Sequence, residues 1–360
     1  MLPVQRVIAF ALPCFLGAQS VSLTKKSETF ERAQITAWVQ PDRLAVARWD
    51  STLSIFRQPK QGEFGPVLTQ AVTAPALKPI EAIIPISADL FATSNGDTSL
   101  ALWKAKNGSF ALAGSFDYGA GVGVAESGAV ITDKQQRFLI SGHAEGFIVV
   151  WNVDGDRLRF VRKVSLRSQN PISSPYKLWN IRAIVPLPGG KVVTGSEDGD
   201  IVLYDVLSDK TLARMRYSAS AQRGINSLSI MDDYLLLANC SVGSSDKNLW
   251  LYKVAADKFL PLDAVNLVQD TSRKQVFDFS TQFTRFESSI YFLASTEEGL
   301  VWLGRVSNDK LETLNSLKLV DTGGAALATA PDSGVVSAVA YDIDLLTLSK
   351  AGQPPPNAIK

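Results

Sequence analysis

A single histidine, His143, and two cysteines, Cys14 and Cys240, stand in the 360 residues. The side chains that most often serve as base, nucleophile or metal ligand are therefore scarce. The cysteines lie too far apart for a clustered zinc motif and too few for a disulfide framework. Cys240, in "LLLANCSVG", reads as a strand residue. His143 is the third residue of "SGHAEGFIVVWNV" (141–153), where the plainest reading is a hairpin residue bonding its own turn. Acidic pairs such as Glu197-Asp198 and Glu297-Glu298 sit in turns and read as solvated. The chain has no Gly-rich phosphate loop, HExxH or GxSxG. An acid/base pair assembled across a central channel leaves no mark in linear spacing, but every visible signal argues for a non-enzyme without cofactor or metal.

Binding chemistry is better represented. The longest connection, "SLRSQNPISSPYKLWNIR" (165–182), carries Arg167, Tyr176, Lys177, Trp179 and Arg182, residue types that dominate interface hot spots. A second candidate is "ARWDSTLSIF" (47–56), with Arg48 and Trp49 beside Asp50 at a turn. These seven basic and aromatic residues are the candidate partner contacts. Balanced charge, 36 basic against 35 acidic residues, gives no electrostatic footprint for nucleic acid or an anionic membrane.

The elements that must hold these residues repeat. A short apolar strand, a turn of Gly, Asp or Ser, and a second strand closing on an aromatic recur about every 45–55 residues, a propeller period. The copies include "RLAVARWDSTLSIFRQ" (43–58), "LFATSNGDTSLALWKA" (90–105), "FLISGHAEGFIVVWNV" (138–153) and "KVVTGSEDGDIVLYDV" (191–206). Later ones are "YLLLANCSVGSSDKNLWLYKV" (234–254), "IYFLASTEEGLVWLGRV" (290–306) and the degenerate "VVSAVAYDIDLLTLSK" (335–350). Inner flanks such as "QITAWV" and "NIRAIVPL", and outer flanks such as "LRFVRKV", complete four-stranded units. The seventh unit runs into "AGQPPPN", whose prolines cannot join a ladder. Its outer strand must therefore come from the other end of the chain. Counting back from Ile35 places that strand at 21–26, "VSLTKK".

These copies resemble the WD-repeat family, most closely at "SGHAEGFIVVWNV" and "TGSEDGDIVLYDV". The resemblance implies a seven-bladed β-propeller over residues 20–350, an all-β scaffold whose loops bind protein partners through short peptides. Blades of that family often link a loop histidine, a serine, a turn aspartate and a closing tryptophan. Ser196 and Asp198 match two of these roles, Tyr204 replaces the tryptophan, and His143 aligns with Ser196 rather than with the loop histidine. The turn position of Trp49-Asp50 is similar to the first blade of checkpoint and nuclear-export propellers that grip peptide motifs.

Two readings stand for residues 1–19: an extension packing on a blade, or a signal peptide with Arg6 and the apolar run Val7–Leu16. That run is too short to span a bilayer. The compartment stays open between intracellular and secreted. In the secreted reading the protein is an enzyme or a carbohydrate or ligand binder, and Asn107 and Asn239 head potential glycan triplets. Residues 351–360 form a Pro-rich tail.

Overall fold

Alternating Val, Ile, Leu and aromatic residues between tight turns favour strands. The computed structural model places 28 of them in chain order, with no helix among the described residues. It describes residues 21–24, 33–48, 50–60, 65–73, 79–96, 98–168, 179–219, 224–241, 247–268, 276–321, 323–331, 334–340 and 342–350. Among them no helix is long and apolar enough to cross a membrane.

Each blade is a four-stranded antiparallel meander. Blade three, for example, runs through Ala125–Asp133, Gln136–His143, Phe147–Asp154 and Arg157–Ser165. Blade four runs through Ile181–Leu187, Lys191–Ser196, Asp200–Asp205 and Lys210–Arg216. The inner strands touch in sequence round a closed ring, Ala33–Gln40 meeting Ala326–Thr329 at the seam. Closure is as expected from the count of strands: Val21–Thr24 pairs antiparallel with Ile343–Lys350, Val21 opposite Lys350 and Thr24 opposite Thr347. The seventh blade, the degenerate repeat in the sequence, is built from the short strands Ala326–Thr329 and Val336–Val339 with Ile343–Lys350.

The core is divided among the interfaces between blades. Among the described residues seven apolar clusters occur, each spanning one pair of neighbours. Trp151 and Leu139 pack with Leu90 and Leu100 between blades two and three, and Trp38 with Leu345 between seven and one. Such close stacking sets residue size at one position of the second strand. Ala47, Gly142, Gly195, Ala238 and Ser295 occupy it in five blades, each pairing next to the bulge of its inner strand. A Cβ at Gly142 would stand 2.8 Å from Ile181 of the next blade, so only a small residue fits. Blades five and six are joined further, since Cys240 and Ser241 run on to pair with Phe277 and Val276.

Candidate functional site

One end of every blade carries the start of the inner strand, the end of the second strand and the turn that follows. In blade four Ile181 pairs with Ser196 there, and the turn 197–199 lies beyond it. Long connections arrive at this same end, and the predicted contacts among the described residues, Arg48, Arg167, Trp179 and Arg182, lie at it.

Between blades three and four, Arg167 and Trp179 mark the two ends of the longest connection. The Arg167 guanidinium lies 4.8 Å from the centroid of the Trp179 ring and 5.2 Å from that of Phe147. Its Nε donates to the Glu145 carbonyl at 2.6 Å, and its terminal nitrogen pairs with the Glu145 carboxylate at 2.8 Å. The Lys163 ammonium adds a second cation 5.1 Å from the Phe147 ring. Gly146 makes this convergence possible: its φ is +75°, and a Cβ there would come within 2.7 Å of both the Trp179 Cβ and the Arg167 Cγ. Trp179 is half-buried, its indole nitrogen enclosed without an acceptor among the described residues. The cluster offers aromatic rings and a cation already held in place, a surface suited to planar or charged groups of a partner.

Arg182 belongs to a different group. On the inner strand it pairs with Glu197 at 2.8 Å and donates to Asn226 of blade five at 3.3 Å. Glu126, on the inner strand of blade three, accepts from Asn180 at 2.7 Å. Burial pushes its carboxyl up to about 7, Arg182 opposing and Glu81 and Glu197 reinforcing the shift. Glu81, Glu126, Arg182 and Asn226 stand one blade apart in sequence and so share one level of the ring. That periodicity was the signal for the group, and sequence reading missed all but Arg182.

Of the remaining predicted contacts, Arg48 ends the second strand of blade one, on the same face but in another sector. Tyr176, Lys177 and Trp49 lie outside the described residues, as do the side chain of Cys240 and all of Cys14. Asp50 does hold its own turn, accepting the Thr52 amide at 2.9 Å, and this bond keeps its carboxyl low.

One sequence expectation needs correction and another needs refining. The acidic turns are not solvated: Asp198 is 5% exposed and Glu298 6%. Connections between blades fold over these turns: the one entering blade four, where the Glu197 amide donates to the Asn180 carbonyl at 2.8 Å, and the one leaving blade six, where the Gly323 amide donates to the Glu297 carbonyl at 2.8 Å. Ser196 donates to Asp198, as the resemblance implied, while burial raises the Asp198 carboxyl. His143 does hold its own turn through its backbone, its carbonyl accepting the Gly146 amide at 3.0 Å, but its ring bonds elsewhere. It is fully buried, with Nε2 2.8 Å from the Ser141 hydroxyl and Nδ1 2.9 Å from the carbonyl oxygen of Gly123, in the connection before the blade. The hairpin places its ring inward, against the connection that supplies this backbone acceptor.

A carbonyl can only accept, so Nδ1 carries the proton and Nε2 receives the Ser141 hydroxyl. Ser141 in turn accepts from Trp151 Nε1 at 3.2 Å. Burial lowers the imidazole to about 4. Tyr118 meets it edge-on at 4.5 Å and donates to the Gly96 carbonyl at 2.6 Å. This neutral, saturated network ties loop to blade and leaves no exposed base. Asn239 is likewise occupied, accepting from Trp250 at 2.7 Å while only 2% exposed, so no glycan fits there. Among the described residues no group of three or more His, Cys, Asp or Glu could hold a metal ion.

No family model matches the chain. No curated protein matches it in sequence either. Among solved structures it is similar to the β-propeller domain of Cps50 (Swd1) from Myceliophteria thermophila, with a TM-score of 0.66 and 13% identity. The match covers 91% of this chain and 100% of that one. At such identity the likeness shows the fold alone, and the fold it shows is a seven-bladed, WD-repeat-like β-propeller.

Proposed function

We propose that this protein is a non-catalytic interaction platform, a subunit or adaptor that holds a partner peptide on the face bearing the long connection between blades three and four. The observation that carries the reading is the Arg167 guanidinium set against both Trp179 and Phe147 at 4.8 and 5.2 Å. Rings and cation are ordered before any partner arrives, so little side-chain entropy is lost on binding. Arg182, with its carboxylate neighbours on the inner strand, supplies polar contacts toward the middle of the same face. The propeller supports the reading at a coarse level, because rigid blades hold in place the loops on which binding residues concentrate.

The test is affinity purification of the tagged protein from its own source, with mass spectrometry of the co-purifying chains and of the bait's N-terminus. Stoichiometric partners that are lost from a Trp179→Ala, Arg182→Ala variant support the platform. A protein recovered alone, beginning near residue 20, sinks the reading and points to the secreted alternative.

A further inference from the structure

We infer that the outer edge of blade three is a second docking surface, which takes an acidic segment in extended conformation as a fifth strand. The outer strand Arg157–Ser165 is nine residues long, and among the described residues nothing pairs with its free edge. An unpaired edge presents a row of backbone donors and acceptors to any chain of matching shape.

Its side chains select the occupant. Arg157, Arg159, Arg162 and Lys163 stand on this strand without a carboxylate among them. Asp154 pairs with Arg159 and Asp209 with Arg162, but Arg157 and Lys163 have no carboxylate partner among the described residues. At mid-strand Phe160 is 53% exposed and Val161 39%, adjacent in sequence beside the bulge between Val150 and Trp151. Charge alone would serve to guard an edge against aggregation. An exposed Phe-Val pair at the centre of that edge does the opposite, and calls for a cover.

Other outer strands lack the combination. Lys210–Arg216 is basic but exposes no large apolar side chain, Ser109–Asp117 and Val67–Thr73 expose Leu112 and Leu68 without any Lys or Arg, Phe259–Val265 is interrupted by Pro261, and Lys310–Lys318 exposes Leu314 but carries Glu312 and has its Lys310 paired with Asp263. Excess positive charge beside an apolar centre is complementary to a strand that alternates Asp or Glu with Val, Ile or Phe. The occupant is thus an acidic, amphipathic protein segment.

The experiment uses the full chain and a synthetic nine-residue peptide alternating Glu with Val and Ile, labelled for fluorescence anisotropy. Controls are the same composition with a central Pro, polyglutamate, and a single-stranded RNA of equal charge. The alternating peptide should bind at least tenfold more tightly than every control, and should protect the amides of 157–165 from hydrogen exchange. Arg157→Glu with Arg159→Glu should weaken it tenfold or more with an unchanged melting curve, while Trp179→Ala leaves it intact. Equal binding of polyglutamate or RNA, no protection of the strand, or indifference to charge reversal would overturn the inference. Loss in Trp179→Ala alone would assign the peptide to the loop face, and overturn it as well.

Discussion

His143 Nδ1 donates to the carbonyl of Gly123 across 2.9 Å, joining the second strand of blade three to the connection that precedes the blade. The ring is fully buried and neutral, so its protonation is coupled to unfolding. In the unfolded chain it titrates near its ordinary 6.5; in the fold it resists protonation until about 4. Between these values the unfolded state binds the extra proton, and stability rises with pH. The contribution is fully present above pH 6.5 and is lost as pH falls toward 4, on the order of 3 kcal/mol in total. Urea midpoints of the wild type and of His143→Gln from pH 4 to 7 check this. The difference between the two should shrink as the pH falls, and a constant difference would refute it.

Glu126 works with the opposite sign in nearly the same window. Its folded value, about 7, lies above the ordinary 4.5, so the folded state holds the proton longer. That stabilisation is present below pH 4.5 and is lost as pH rises through 7. Glu126→Gln should therefore be more stable than wild type at pH 8 and lose that advantage at pH 5. The same denaturant series reads it out.

Trp151 and Trp302 should respond differently to one substitution. Trp151 Nε1 donates to Ser141, whereas Trp302 Nε1 is buried with no acceptor among the described residues. Replacing Trp151 by Phe should cost about 1 kcal/mol more than replacing Trp302, the worth of a net buried hydrogen bond. Calorimetric melts of the two variants settle the comparison.

Removing residues 1–24 should open the ring, because Val21–Thr24 is the outer strand paired to Ile343–Lys350. Removing 1–20 leaves that strand in place. The longer deletion should melt several degrees lower and self-associate through the bared edge, while the shorter melts like the full chain. Light scattering alongside circular dichroism separates the two.

At the loop face, Trp179→Ala keeps the Cβ that rests over Gly146 and removes the ring that Arg167 covers. Partner affinity should fall by about 2 kcal/mol, roughly thirtyfold, with little change in melting temperature. Titration of the purified partner measures it. A large drop in melting temperature would make Trp179 a packing residue instead.

Residue order alone determined the blade count, the hairpins and the return of the N-terminal strand to close the ring. These follow from alternation and from a repeat of about 45–55 residues, both carried by neighbours along the chain. The Ser196–Asp198 bond was legible through the resemblance of that hairpin to the WD-repeat family, which implied both roles. Only the tertiary structure decided that Glu126 meets Asn180, that Arg167 covers Trp179 and that His143 reaches Gly123. Their partners come from other blades or connections, and the packing of one blade on the next, invisible in linear order, sets which polar atoms lose water and must find each other.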